Sequence, residues 1–113
     1  MPSEKIGIGP IDPHVIIYVP SEMLKNTLTL GKIAFAKYLI EKKMPNTHVQ
    51  VIVIPTEMLP ALEKMIANNE PLQGDYTVLK PFQMHKITDL DKIWIYIKEE
   101  DKLIPLEDFL IKY

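Results

Sequence analysis

His85, Asp89 and Asp91 bring a base and two carboxylates into one short stretch between apolar segments. Such a set could move a proton if it lay in a loop that a substrate can reach. No candidate nucleophile stands beside it, so no reaction class follows. Thr88-Asp89 also has the chemistry of a turn or cap, with Asp91 left in water. That plainer role is the expected one.

Ser21 and Thr56 form the second candidate pair. They sit in two copies of one motif, Pro20-Ser21-Glu22-Met23-Leu24 and Pro55-Thr56-Glu57-Met58-Leu59, each after a β-branched run. A hydroxyl that follows a strand-ending proline is expected to cap a helix. Helix N-termini at that edge also offer N–H groups to an anion, but Glu22 and Glu57 occupy the first turns and repel phosphate. A cation or a hydroxylated ligand would suit the edge better. His14 and His48 each precede one of the same runs and would share the opposite edge of a parallel sheet. Two imidazoles there could make half a metal site, yet sites in open parallel sheets lie at the carboxyl ends of strands. Both are read as solvated, and no metal is assigned.

Trp94 and Tyr96 alternate along a strand flanked by Lys92 and Lys98. Exposed, the rings could stack nucleobases. Packing in a core or an interface is the commoner use of such a pair. Gly7-Ile8-Gly9-Pro10 resembles a phosphate loop only in its glycines. It opens no helix, and Pro10 deletes an amide that the cradle needs.

The elements that must position these residues follow from the repeat. Strand, proline, hydroxyl and helix make a β-α unit, and two in tandem predict a parallel pair of strands at 14–19 and 48–54. A long helix is expected over 22–43, with Leu24, Leu28, Gly31, Phe35 and Leu39 as its stripe. Its second half is apolar nearly all round, from Ile33, Ala34, Phe35 and Ala36 to Tyr38, Leu39 and Ile40. One sheet face does not use that much surface. A shorter helix begins between Thr56 and Pro60 and ends near Asn68. Residues 76–80 read as a third strand stopped by Pro81, and 82–91 as irregular. Residues 92–98 form a strong strand, with Ile93, Ile95 and Ile97 on one face and Trp94 and Tyr96 on the other. The chain turns at 99–101, returns as an antiparallel strand at 102–104, and starts a last helix at Pro105. The fold class is therefore α/β, as one domain over 1–113. It should hold a small mixed, largely parallel sheet of about four or five strands, built on a βαβα repeat with a C-terminal hairpin and helix. Residues 1–13 are expected to be an extended arm, with a short edge pairing at 6–8.

This order of elements is similar to that of thioredoxin-like proteins, in the first unit and in the hairpin and helix from 92 onward. Just after the first strand, where that family carries its redox cysteines, this chain has Ser21, Glu22, Met23 and Leu24. The resemblance implies a layout and no redox activity. High Ile, Lys and Glu, no cysteine and only three Gln suit a thermophile. In overall style the chain resembles small proteins of hyperthermophilic archaea and of crenarchaeal viruses, a likeness that carries no activity with it.

Composition narrows the functions further. The absence of cysteine removes disulfides, thiol chemistry and thiolate metal sites. All 13 cationic residues are lysines, so the bidentate guanidinium fork is missing. A net charge of −2 and a pI near 5.9 argue against holding nucleic acid by a positive field. Met1-Pro2-Ser3-Glu4-Lys5 lacks an apolar signal core, and Lys37 interrupts the longest apolar helix segment. A cytoplasmic protein with no membrane span is expected, in the host cytoplasm if the source is viral. No cofactor is implied. The leading reading is a non-catalytic interaction protein that forms a homodimer through the long helix. A small enzyme or ligand-binding domain, with its site at the carboxyl ends of the first two strands, comes second. Nucleic-acid binding through Trp94, Tyr96, Lys92 and Lys98 comes third.

Overall fold

The β-branched runs need ladder partners, and residues 14–112, which the computed structural model describes, supply them as one four-stranded sheet. Its strands are β1 (Val15–Pro20), β2 (Val49–Ile54), β3 (Trp94–Ile97) and β4 (Lys102–Pro105), in the order β2-β1-β3-β4. β1 and β2 run parallel, with Val15 opposite Val49 and Pro20 opposite Ile54. The tandem repeat predicts this pairing. β3 is antiparallel to β1, and β4 is antiparallel to β3. The fold is thus mixed α/β with one parallel pair, rather than a largely parallel sheet. Residues 1–13, with the expected arm and the pairing at 6–8, lie outside the described residues.

The third strand expected at 76–80 does not form. Gly74–Leu79 is instead a 3-10 helix that leads into α3 (Lys80–Met84). Gly74 enters it at φ 61, and Thr77 Oγ1 donates to the Gly74 carbonyl, which closes the turn locally. Leu79 and Phe82 are both buried three residues apart, a helical spacing that a short alternating window hides.

Two cores lie on opposite faces of the sheet. Val15, Ile17, Val19, Ile93, Ile95 and Ile97 face α1 (Thr27–Lys43) and α4 (Leu106–Lys112). Tyr18, Trp94 and Ile54 face α2 (Leu59–Ala67) and α3. The split of β3 into an isoleucine face and an aromatic face is the one that its alternation predicts. In the second core the Phe82 ring meets Tyr18 edge-on at 4.8 Å and Trp94 edge-on at 5.9 Å. The Tyr18 hydroxyl donates to the Val78 carbonyl at 2.6 Å, which satisfies a buried donor and ties the 3-10 segment to the sheet.

The long helix differs from expectation at its start and in its buried face. Ser21–Lys25 forms a separate 3-10 turn, and Asn26 breaks the chain at φ −97, ψ 117. The Asn26 side chain accepts from the Leu28 and Thr29 amides at 2.9 and 3.3 Å, so Asn26 is the cap of α1. Replacing Asn26 with alanine should cost about 1 kcal/mol of stability. Denaturant unfolding checks this, and a loss below about 0.3 kcal/mol would show that α1 needs no cap there. The buried residues of α1 are Ile33, Ala36 and Ile40. Of the expected stripe, Leu28 and Phe35 are 69% and 51% exposed. The sheet takes the other side of the helix.

Candidate functional site

Ser21 and Thr56 do not cap the helices that follow them. They bond to each other's chain segment instead. Ser21 Oγ accepts the Thr56 amide at 2.9 Å, Thr56 Oγ1 accepts the Glu22 amide at 2.9 Å, and the two oxygens are 3.1 Å apart. Both hydroxyls are thereby committed at the carboxyl ends of β1 and β2, the edge where the second reading would place a ligand site. The carboxylates of Glu22 and Glu57 stand exposed beside them.

His85, Asp89 and Asp91 do not form one constellation. His85 Nε2 lies 3.1 Å from Asp101 Oδ1, in the turn between β3 and β4, and the Tyr96 hydroxyl donates to the same oxygen at 2.7 Å. These two contacts hold the Asp101 carboxyl below the usual carboxylate range, the Tyr96 bond contributing most. Burial, then the bond to Asp101, pushes the Tyr96 phenol up to about 12. A depressed carboxylate adds stability above its unfolded pKa, and that contribution is lost as pH falls through the folded value. Asp101→Asn keeps a residue suited to φ 51 but weakens the acceptor. Its melting temperature should fall below wild type at pH 7, and the gap should close below about pH 4. A gap that persists unchanged at low pH would remove the carboxylate from the explanation.

Asp89 and Asp91 meet Glu63 from α2, the three carboxylates lying within 4.8 Å of one another. Glu63 Oε2 accepts the Leu90 amide at 2.8 Å, and Lys92 Nζ stands 3.5 Å from Asp89. The hydrogen bond that Asp91 makes to Asp89, with the charge of Asp89, raises the Asp91 carboxyl and lowers that of Asp89. Carboxylates this close are the donor type for a divalent cation. Their bonds to each other, to Lys92 and to the backbone also account for the arrangement without one. Glu63 is distant in sequence and gave no signal as a neighbour.

Trp94 is 7% exposed, its indole N–H donating to the Asp89 carbonyl at 2.7 Å. Lys92 Nζ stands 5.4 Å from the ring centroid. Tyr96 is half-buried and engaged with Asp101. The two rings therefore offer no open stacking platform, and Lys98 stands exposed beyond the end of β3. His14 and His48 do meet at the base of the sheet, where the His48 amide donates to His14 Nδ1 at 3.2 Å.

Among the described residues, two apolar surfaces stand out as exposed. The first is the outer side of α1, where Leu28, Phe35 and Tyr38 are exposed. With Gly31 they recur at spacings of three and four, opposite Ile33, Ala36 and Ile40. The Phe35 and Tyr38 rings stack at 6.3 Å, and Lys42 Nζ stands 5.9 Å from the Tyr38 centroid. The second surface is the outer edge of β2, where Val51 and Val53 are exposed. A cavity of about 520 Å³ runs beside it, lined by Ile52, Ile54, Met58, Leu62, Tyr76 and Val78 among others. Helical periodicity pointed to surplus surface on α1; nothing in the sequence distinguished β2 as an edge.

Compared with protein-family models, with curated proteins and with solved structures, the chain shows no significant match. Among the described residues no helix is long and apolar enough to cross a membrane.

Proposed function

We propose that this protein is a non-catalytic interaction protein that works as a homodimer, with the outer side of α1 at the contact. The observation that supports it is that α1 is apolar on two opposite sides and the sheet covers only one of them. A helix apolar all round belongs in an interior, and an uncovered patch on a monomer is a solubility liability. Closing it against its own copy by two-fold symmetry needs no second gene product. Lys42 and Lys43 end the helix, so an antiparallel crossing keeps the lysine clusters of the two copies apart. It also sets each helix end against the opposite dipole of the other.

The patch is small. Each aromatic side chain can bury roughly 150–250 Å², and about half of Phe35 and Tyr38 is already covered. The helix pair alone falls short of the roughly 1,200 Å² of a standard interface, so a dissociation constant on the order of micromolar is expected. Light scattering across a concentration series tests this. A monomer mass at several hundred micromolar would reject the dimer.

A further inference from the structure

We propose that Gly31 fixes how two copies of this chain meet: their α1 helices cross antiparallel, with the Phe35 ring of each seated over Gly31 of the other. This rests on the homodimer reading above and adds its register and the residue that sets it. Gly31 is exposed in the interior of a 17-residue helix. Glycine there weakens a helix relative to alanine. Nothing in the described fold asks for it. Its φ is not positive, and a Cβ added to it meets no atom of the described residues within 4 Å. A missing side chain on an outward helix face is of use where another backbone or a large ring must come close.

The spacing of the same face favours a second copy as the occupant. Leu28, Gly31, Phe35 and Tyr38 are separated by three, four and three residues. That pattern is the same read from either end of the helix. Turned about a two-fold axis at the level of Ile33, it lays Leu28 on Tyr38 of the other copy and Gly31 on Phe35 of the other copy. A two-fold contact requires a surface that fits itself. Here each ring meets a smaller residue, and the knob of one copy fills the notch of the other. A parallel alignment lays Phe35 on Phe35 and leaves two glycines facing a gap.

The rest of the face suits this crossing. The stack on Tyr38 at 6.3 Å holds the Phe35 ring in place before the copies meet. Ala34, exposed and close to the axis, adds no bulk. The helix axes can therefore close to the short end of the usual range of roughly 8–10 Å. Lys32, also close to the axis, is paired with Glu107 at 2.9 Å, so its charge does not stand uncompensated there.

The chain has no cysteine, so introduced ones cross-link without background. Facing positions on closely crossed helices come within disulfide reach. Leu28→Cys and Tyr38→Cys in the full chain are oxidised separately and as an equal mixture, at a concentration where the wild type is dimeric. The mixture should give a linked heterodimer, identified by its mass, in excess of either homodimer. Homodimeric links in excess would show another alignment and overturn the register. Gly31→Ala and Gly31→Leu then test the notch. Both should melt at or above the wild-type temperature when dilute and monomeric, since each improves the helix. Gly31→Leu should nevertheless weaken the dimer about 10- to 100-fold, as overpacking does. Unchanged or tighter association of Gly31→Leu would overturn the role of Gly31 while leaving the dimer standing. A wild-type chain that stays monomeric would instead reject the dimer itself, so the two failures are told apart.

Discussion

Phe35→Glu should leave the protein folded and abolish the proposed dimer. Phe35 is 51% exposed in the single chain, and its main ring contact is the stack on Tyr38. Glutamate is a good helix former, so the fold should change by no more than about 0.5 kcal/mol. Across a two-fold crossing the new carboxylate would be buried against its copy or against Tyr38, without a partner. Burial of an unpaired charge costs several kcal/mol. Each 1.4 kcal/mol is tenfold in affinity, so at least a 100-fold weakening is expected. Sedimentation or light scattering reads this directly. If Phe35→Glu and Tyr38→Glu both keep the dimer mass, the contact lies on another surface. Ile33 and Ile40, in the same apolar half of the helix, do not suit this test. Both are buried against the sheet, at 7% and 0% exposure, so a charge there would unfold the chain rather than split a dimer.

Phe82→Ala should be the most damaging single truncation in the second core. The ring is fully buried between Tyr18 and Trp94, and it holds the five-residue α3 to the sheet. Deleting a buried phenyl group costs about 3–5 kcal/mol, out of a total stability of typically 5–15 for a domain. Urea unfolding in the Phe35→Glu background keeps mass action out of the comparison. Tyr18→Phe in the same assay should lose only the bond to Val78, about 1 kcal/mol. If the two variants cost the same, the aromatic triad is not the packing centre of that core.

The strands were legible because a period of two leaves few alternatives. Ile93, Ile95 and Ile97 against Trp94 and Tyr96 separated the two faces of β3 before any contact was known. The parallel pair followed from the repeated strand-proline-hydroxyl grammar. The buried side of α1 was not legible, because Phe35 and Tyr38 are as apolar as Ile33 and Ile40, and periodicity cannot rank two apolar sides. Residues 76–80 misled for a different reason. Tyr76, Thr77 and Val78 favour strands, but Gly74 and the Thr77 side chain close a local turn first. The candidate site was least legible of all. Asp101 for His85, and Glu63 for Asp89 and Asp91, are partners brought in by tertiary structure from other elements.

The reciprocal bonds of Ser21 and Thr56 also bear on how the chain gains and loses structure. Each junction between strand and helix lacks an acceptor for one amide until the other junction arrives. Neither can be completed locally, and the loop between them must close first, at an entropic cost that both share. The βαβ unit therefore behaves as one cooperative foldon. The first amides of α1, by contrast, find their acceptor locally in the Asn26 side chain and wait on neither junction.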